Sequence, residues 1–99
     1  MIVITGEIEL HPEDVWPATY HVTRMMEASN KEDGCIVYKF YSDLMNPRRF
    51  RLYEEWRDQA ALDAHFASDH MAEFQKQLAS FRVLDRNIKK FEVGETTSL

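Results

Sequence analysis

Four side chains in the middle of this 99-residue chain have the types and spacing for proton chemistry beside a flat ring. Glu54 and Trp56 stand two residues apart, His65 follows nine residues later, and Tyr38 lies upstream. Histidine is the side chain whose ordinary pKa suits a general base near neutral pH, and a carboxylate within reach can fix its tautomer and tune its basicity. Tryptophan offers a face for stacking and tyrosine a hydroxyl. Each has a plain structural reading as well. His65 could be a core histidine donating to a carbonyl or to Glu54, Trp56 could be core filling, and Tyr38 could belong to a subunit interface.

These residues are carried by a strand that turns directly into a helix. Phe50, Leu52, Glu54 and Trp56 alternate with Arg51, Tyr53 and Glu55, the pattern of a strand with one apolar side. That apolar side carries a carboxylate, Glu54, which costs several kcal/mol if buried without a partner or else takes up a proton. At Asp58, a good N-cap, the period becomes helical through Ala61, Leu62, His65 and Phe66. This helix is expected to run to about Ala67, with Ser68-Asp69 as a fresh cap and Met71, Phe74, Leu78 and Phe81 marking a further helix, either continuous with the first or bent at Ser68. His65 and His70 are five apart, so on one unbroken helix they diverge by roughly 140°, and only a break at Ser68 brings them together. No cluster with metal-ligand spacing, Gly-rich phosphate loop or nucleophile elbow is present, and no metal is expected.

Elsewhere the chain supplies the frame. Ile2 to Leu10 alternates as a strand with Gly6 in its buried row, where close packing or a bulge is the simpler explanation and room for a ligand the alternative. Pro17 argues for a helix starting near Asp14, which puts the proline in the first turn; Val15, Ala18, Val22, Met25 and Ser29 form its buried stripe, and it ends before Gly34. Cys35 to Ser42 is apolar on both sides, with Cys35, Val37 and Tyr41 on one and Ile36, Tyr38 and Phe40 on the other. Helices can cover one side, so a second subunit is expected on the other. Asn46-Pro47 is the turn into the Phe50 to Trp56 strand. The last strand is expected over about Asp85 to Val93, with Ile88 and Phe91 out of phase, from either a bulge or a second face buried by a partner chain, and residues 94–99 as a frayed or exchanged tail. Strand, helix, strand, strand, helices, strand is the order of a ferredoxin-like split βαβ fold of the α+β class: an antiparallel sheet with helices on one face and the other face bare.

Length and composition bound the rest. A chain of 99 residues is one domain (1–99) whose small core makes a partner subunit a natural source of further burial. A net charge of -5 gives no basic footprint for nucleic acid or an anionic membrane, although Arg48, Arg49 and Arg51 cluster, as do Lys89 and Lys90. The single cysteine, Cys35, makes no internal disulfide, and neither a signal peptide nor a membrane-length apolar run is present, so a cytoplasmic location is expected.

Glu32-x-Gly34-Cys35-x-x-Tyr38, Pro47-x-x-Phe50 and Tyr53-Glu54-x-Trp56-x-Asp58-x-x-Ala61-Leu62-x-x-His65-x-x-Ser68-x-His70 together resemble the antibiotic biosynthesis monooxygenase family, including its quinol monooxygenase members. The resemblance implies a ferredoxin-like homodimer whose two sheets meet as a β-barrel, each subunit holding a cavity between helices and sheet. It also implies oxidation of a small phenolic or quinol substrate by O2 with no flavin, haem or metal, so no cofactor is expected. On that reading His65 is the base or relay and Glu54 its orienting partner. Trp56 is the stacking wall, Tyr38 a hydroxyl donor, Phe50 part of the substrate pocket, and Arg86 a holder of a substrate oxygen. The family's haem-degrading branch relies on an asparagine in the first strand, where this chain has Gly6, Glu7 and Ile8. An isomerase of a small carbonyl metabolite, or a dimeric binding or stress-response module without turnover, are the alternatives.

Overall fold

Strand β1 (Ile2–Leu10) turns every second side chain inward and occupies an inner position in the sheet of the computed structural model, which describes residues 1–99. With β2 (Cys35–Ser42), β3 (Arg49–Trp56) and β4 (Val83–Glu92) it forms one sheet of order β2-β3-β1-β4, in which every neighbouring pair is antiparallel. Helices α1 (Pro12–Ser29), α2 (Gln59–Phe66) and α3 (Asp69–Leu78) pack on one face. Val22, Met25, Leu62 and Phe74 from the helices meet Ile2, Ile4, Leu52 and Trp56 from the strands in the main core. The result is an α+β ferredoxin-like fold with an open sheet face.

Helix α1 begins two residues earlier than its prolines suggested. His11 is the N-cap, its Nδ1 accepting from the Glu13 N–H at 3.2 Å, and Pro12 takes the first helical position, where a missing N–H is harmless. Asp14 does not cap. Its carboxylate is taken by Arg82, accepting from the backbone N–H at 2.7 Å and from the guanidinium at 3.1 Å, which lowers its pKa to about 2. Pro17 therefore lies inside the helix, and the cost of one forgone hydrogen bond is borne by a helix otherwise anchored by buried Ala18, Val22, Met25 and Ser29.

Two irregularities alter the expected faces. The β2–β3 register shifts between Cys35 and Val37, making Ile36 an extra, exposed residue and returning Cys35 to the core side with Tyr38 and Phe40. Strand β4 begins at Val83, with a shift opposite Glu9 and Leu10. Ile88 packs inward beside Gly6, while Phe91, paired with Val3, lies on the open face, which explains their phase. Gly6 is there for close packing: a Cβ would stand 2.0 Å from the Asn87 carbonyl oxygen and 2.4 Å from Ile88 Cα.

The open face is mostly charged. Arg49 bridges Glu7, Glu9 and Asp85 at 2.9 to 3.1 Å, and Arg51 reaches Glu7. No helix is long and apolar enough to cross a membrane.

Candidate active site

The α2–α3 break makes the site. Asp58 caps α2 by accepting the Ala61 N–H at 2.9 Å, and Ser68 ends it, its hydroxyl donating to the His65 carbonyl at 2.6 Å while accepting the Met71 N–H that starts α3. The bend brings the His65 and His70 rings to 5.9 Å between centroids. Both then bond to one carboxylate oxygen. Glu32 Oε2, in the turn before β2, lies 2.6 Å from His65 Nδ1 and 2.8 Å from His70 Nε2. An anionic Glu32 only accepts, so both ring nitrogens carry the hydrogen and the free acceptor on His65 is Nε2.

Glu32 stood in the motif that carries the family resemblance but was given no role there, since it precedes a glycine turn and follows neither helix nor strand period. Glu54, the expected orienting partner of His65, does something else. Oε1 of Glu54 accepts the Trp56 Nε1–H at 2.7 Å, and no hydrogen bond joins Glu54 to His65. The reason is geometric: residues two apart on a strand share a face, so the indole reaches the carboxylate beside it. Burial raises the pKa of Glu54 to about 7, against the lowering effect of the Trp56 hydrogen bond and with a further upward push from the Glu32 charge. His65, only 1% exposed, is lowered by burial, with the Glu32 hydrogen bond and charge opposing and His70 adding to the shift.

A cavity of about 470 Å³ lies between the sheet and the helices, within the usual size of small-molecule sites. His65, Glu54 and Tyr38 line it together with Ile4, Phe40 and Phe74, and Arg86 lines it too. Glu54 pairs with Ile4 and Arg86 with Ile8, so the two charged ends stand four residues apart along β1, roughly 13 Å. The Arg86 side chain has no carboxylate partner; its neighbour Asp85 is bound to Arg49 on the other face. Tyr38 is 2% exposed, and burial raises its hydroxyl pKa, with the Glu54 charge adding, so the phenol stays protonated. Cys35 is likewise pushed up, to about 11, chiefly by burial, which leaves an unreactive thiol.

Two expected pocket residues do not line this cavity. Trp56 is fully buried behind His65, with ring centroids 4.6 Å apart, and supports the imidazole from behind. Phe50 packs with Ile8, Leu10 and Ala18 in a second small core.

Glu32, His65 and His70 are also the three groups whose ligand atoms gather within 4.8 Å. Their O···N distances of 2.6 and 2.8 Å are those of charge-assisted hydrogen bonds. Ligand atoms sharing a tetrahedral ion through bonds of about 2.0 Å stand roughly 3.3 Å apart, so at the observed distances the three groups form a hydrogen-bonded node.

The chain has relatives in sequence and in structure. It is 33% identical over 98 residues to the uncharacterized protein sll1783 of Synechocystis, covering 99% of this chain and 67% of that one. With the uncharacterized protein YjcS of Bacillus subtilis it shares 35% identity over 54 residues, 54% of this chain and about half (51%) of that one. Among solved structures, a Deinococcus radiodurans protein provisionally described as an antibiotic biosynthesis monooxygenase superposes with a TM-score of 0.92 at 25% identity, covering 100% of this chain and 98% of the other. A conserved protein from Methanosarcina mazei Go1 gives 0.84 at 31% identity, over 91% and 89% of the two chains. The sequence model of the antibiotic biosynthesis monooxygenases matches residues 1–77, a span that takes in Gly6, Glu32, Glu54, Trp56, His65 and His70, and the chain belongs to that family.

Proposed function

We propose that the protein is a cofactor-independent monooxygenase that oxidises a small phenolic or quinol substrate with O2. The observation that carries this reading is the buried imidazole of His65, which lines an apolar cavity while its Nδ1 is held by Glu32. Its Nε2 is thereby a fixed proton acceptor beside a mostly apolar hollow. A phenol or a ring carbon acid seated there loses its proton to Nε2, and the resulting electron-rich anion reduces O2 by one electron. The radical pair joins as a peroxide at the ring carbon. His65 returns its proton to the peroxide, and loss of the ring carbon's remaining hydrogen as the O–O bond breaks expels water and leaves a carbonyl, one oxygen atom going to product and one to water. Glu54, with a pKa of about 7, gives a proton to the departing oxygen and recovers one from that ring carbon. Tyr38 supplies a hydroxyl, and Arg86 holds an anionic or carbonyl oxygen at the other end.

The homodimer belongs to the same proposal. Tyr41 and Phe91, about half exposed on the open sheet face, are the apolar contacts that a second copy would cover, closing the two sheets into a barrel. Oxygen uptake with anthrone-like phenols and simple quinols tests the activity. Wild type consumes O2 with formation of the oxygenated product, and His65→Ala loses about 10²-fold or more of the rate, the usual contribution of a general base. Equal rates in the two proteins refute the role of His65. Substrate isomerised with no O2 consumed, through proton transfer between His65 and Glu54, identifies an isomerase instead.

A further inference from the structure

Glu32 connects two separate spaces. His65 lines the apolar cavity, whereas His70 lines a groove of about 330 Å³ between α1 and α3, and the two imidazoles meet on one oxygen of the same carboxylate. We propose that the pair shares one positive charge, so that a proton gained by His65 on the cavity side is matched by one released from His70 on the groove side. This rests on the reading of His65 as the base.

The physics is that of one anion between two cations. Glu32 compensates a single imidazolium through a short, charge-assisted hydrogen bond. A second imidazolium would face the first across 5.9 Å between ring centroids, in a region where the His65 side chain is 1% and the Glu32 side chain 15% exposed. The remaining charges facing His70 balance: Arg24 and Lys31 against Glu27 and Glu73, with His21 on the far side of the groove. Those facing His65 are Glu32 from the turn, His70 from α3, Glu54 from β3 and the protonated Tyr38 hydroxyl from β2. The two sites therefore titrate as a coupled pair.

The cycle balances. In the proposed cycle the resting charge sits on the more exposed ring, His70, whose side chain is 30% exposed against 1% for His65, and His65 is neutral. When the substrate O–H or C–H bond breaks and the Nε2–H bond forms on His65, His70 loses its Nδ1 proton to water in the groove, and the pair stays at +1. When His65 returns its proton to the peroxide, His70 takes one up again. No proton crosses the apolar cavity. His70 and Glu32 act through His65 and are positioning residues.

The test needs no substrate. The side-chain ¹⁵N and ¹H signals of His65 and His70 are followed from pH 4.5 to 9 in wild type, His70→Gln and Glu32→Gln, each checked for folding by its amide spectrum. His70→Gln keeps a donor for Glu32 without the charge, and His70→Asn replaces it if it fails to fold. In wild type, His70 should gain its proton first, and the His65 signals should move in two steps. In His70→Gln, His65 should titrate in one step shifted up by more than about one pH unit, and in Glu32→Gln it should shift down. Superimposable His65 curves in wild type and His70→Gln, or both rings charging together, overturn the proposal. Coupled curves alongside an O2 uptake indifferent to His65→Ala would uphold the shared charge while refuting the base.

Discussion

Trp56 and His65 lie ring against ring, with centroids 4.6 Å apart and planes inclined by 38°, yet each is held by a different carboxylate. Trp56 donates to Glu54 and His65 to Glu32. The acid that shares a strand face with the indole is thus freed from orienting the base, and its nearly neutral pKa suits it to proton donation instead.

Replacing Trp56 tests that division. Trp56→Phe removes the only hydrogen-bond donor to Glu54 and leaves a smaller ring in a fully buried site. An unsatisfied buried acceptor costs about 1 to 3 kcal/mol, more when charged, so urea denaturation should show a loss of about 3 kcal/mol at pH 8 and a smaller one at pH 5, where Glu54 is protonated. Adding Glu54→Leu should recover part of the loss. An equal loss at both pH values would assign the whole effect to packing.

Glu54→Gln isolates the pH dependence of the fold. The folded pKa of Glu54, about 7, lies above its ordinary value of 4.5, so between those values the native state holds a proton that the unfolded chain has released. Stability is therefore greatest at low pH and is lost as pH rises through this window, by at most about 3 kcal/mol for a shift of this size. Glutamine keeps an acceptor for Trp56 but does not titrate. The variant should match wild type near pH 4.5 and exceed it above pH 7, and parallel stability curves across this range would refute the burial effect.

How much of this could be read from residues alone follows from what generates periodicity. The one-sided alternation of β1 and β3, the caps at Asp58 and Ser68 and the stripe of α1 are local patterns; they predicted the antiparallel sheet and the inward face carrying Glu54, and left a continuous or a bent helix open at Ser68. The break at Ser68 was also visible as the one condition under which His65 and His70 could meet. Glu32 was not, because a turn residue acquires its partners from elements 33 and 38 positions away. Trp56 and Phe50 share the inward strand face, but face alone does not say which residues border the hollow and which lie beneath the helices. The start of α1 was misjudged because Arg82, a distant residue, took the carboxylate of Asp14.

Gly6→Ala should be costly out of proportion to one methyl group. Its Cβ would meet backbone atoms of Asn87 and Ile88, which cannot rotate away, so β4 must shift. Overpacking of this kind costs about 1 to 3 kcal/mol, and the upper end is expected here. Hydrogen exchange should speed up along β4 and the facing half of β1 more than along β2. A loss below half a kcal/mol would mean that β4 moves freely.

Sedimentation at micromolar concentration checks the proposed dimer. The expected species has twice the 11.7 kDa chain mass. Tyr41 and Phe91 are exposed by 51% and 47% on the face that Arg49, Arg51 and their carboxylate partners otherwise cover with charge. An aspartate placed among such contacts must be desolvated against a symmetry-related copy of itself, which costs several kcal/mol if unpaired. Tyr41→Asp with Phe91→Asp should therefore shift the equilibrium toward monomer, raising the dissociation constant by about 10² or more, while the helix-side core is left intact. A wild-type monomer at this concentration would remove both the dimer and the barrel, and the cavity would then have to work within a single subunit.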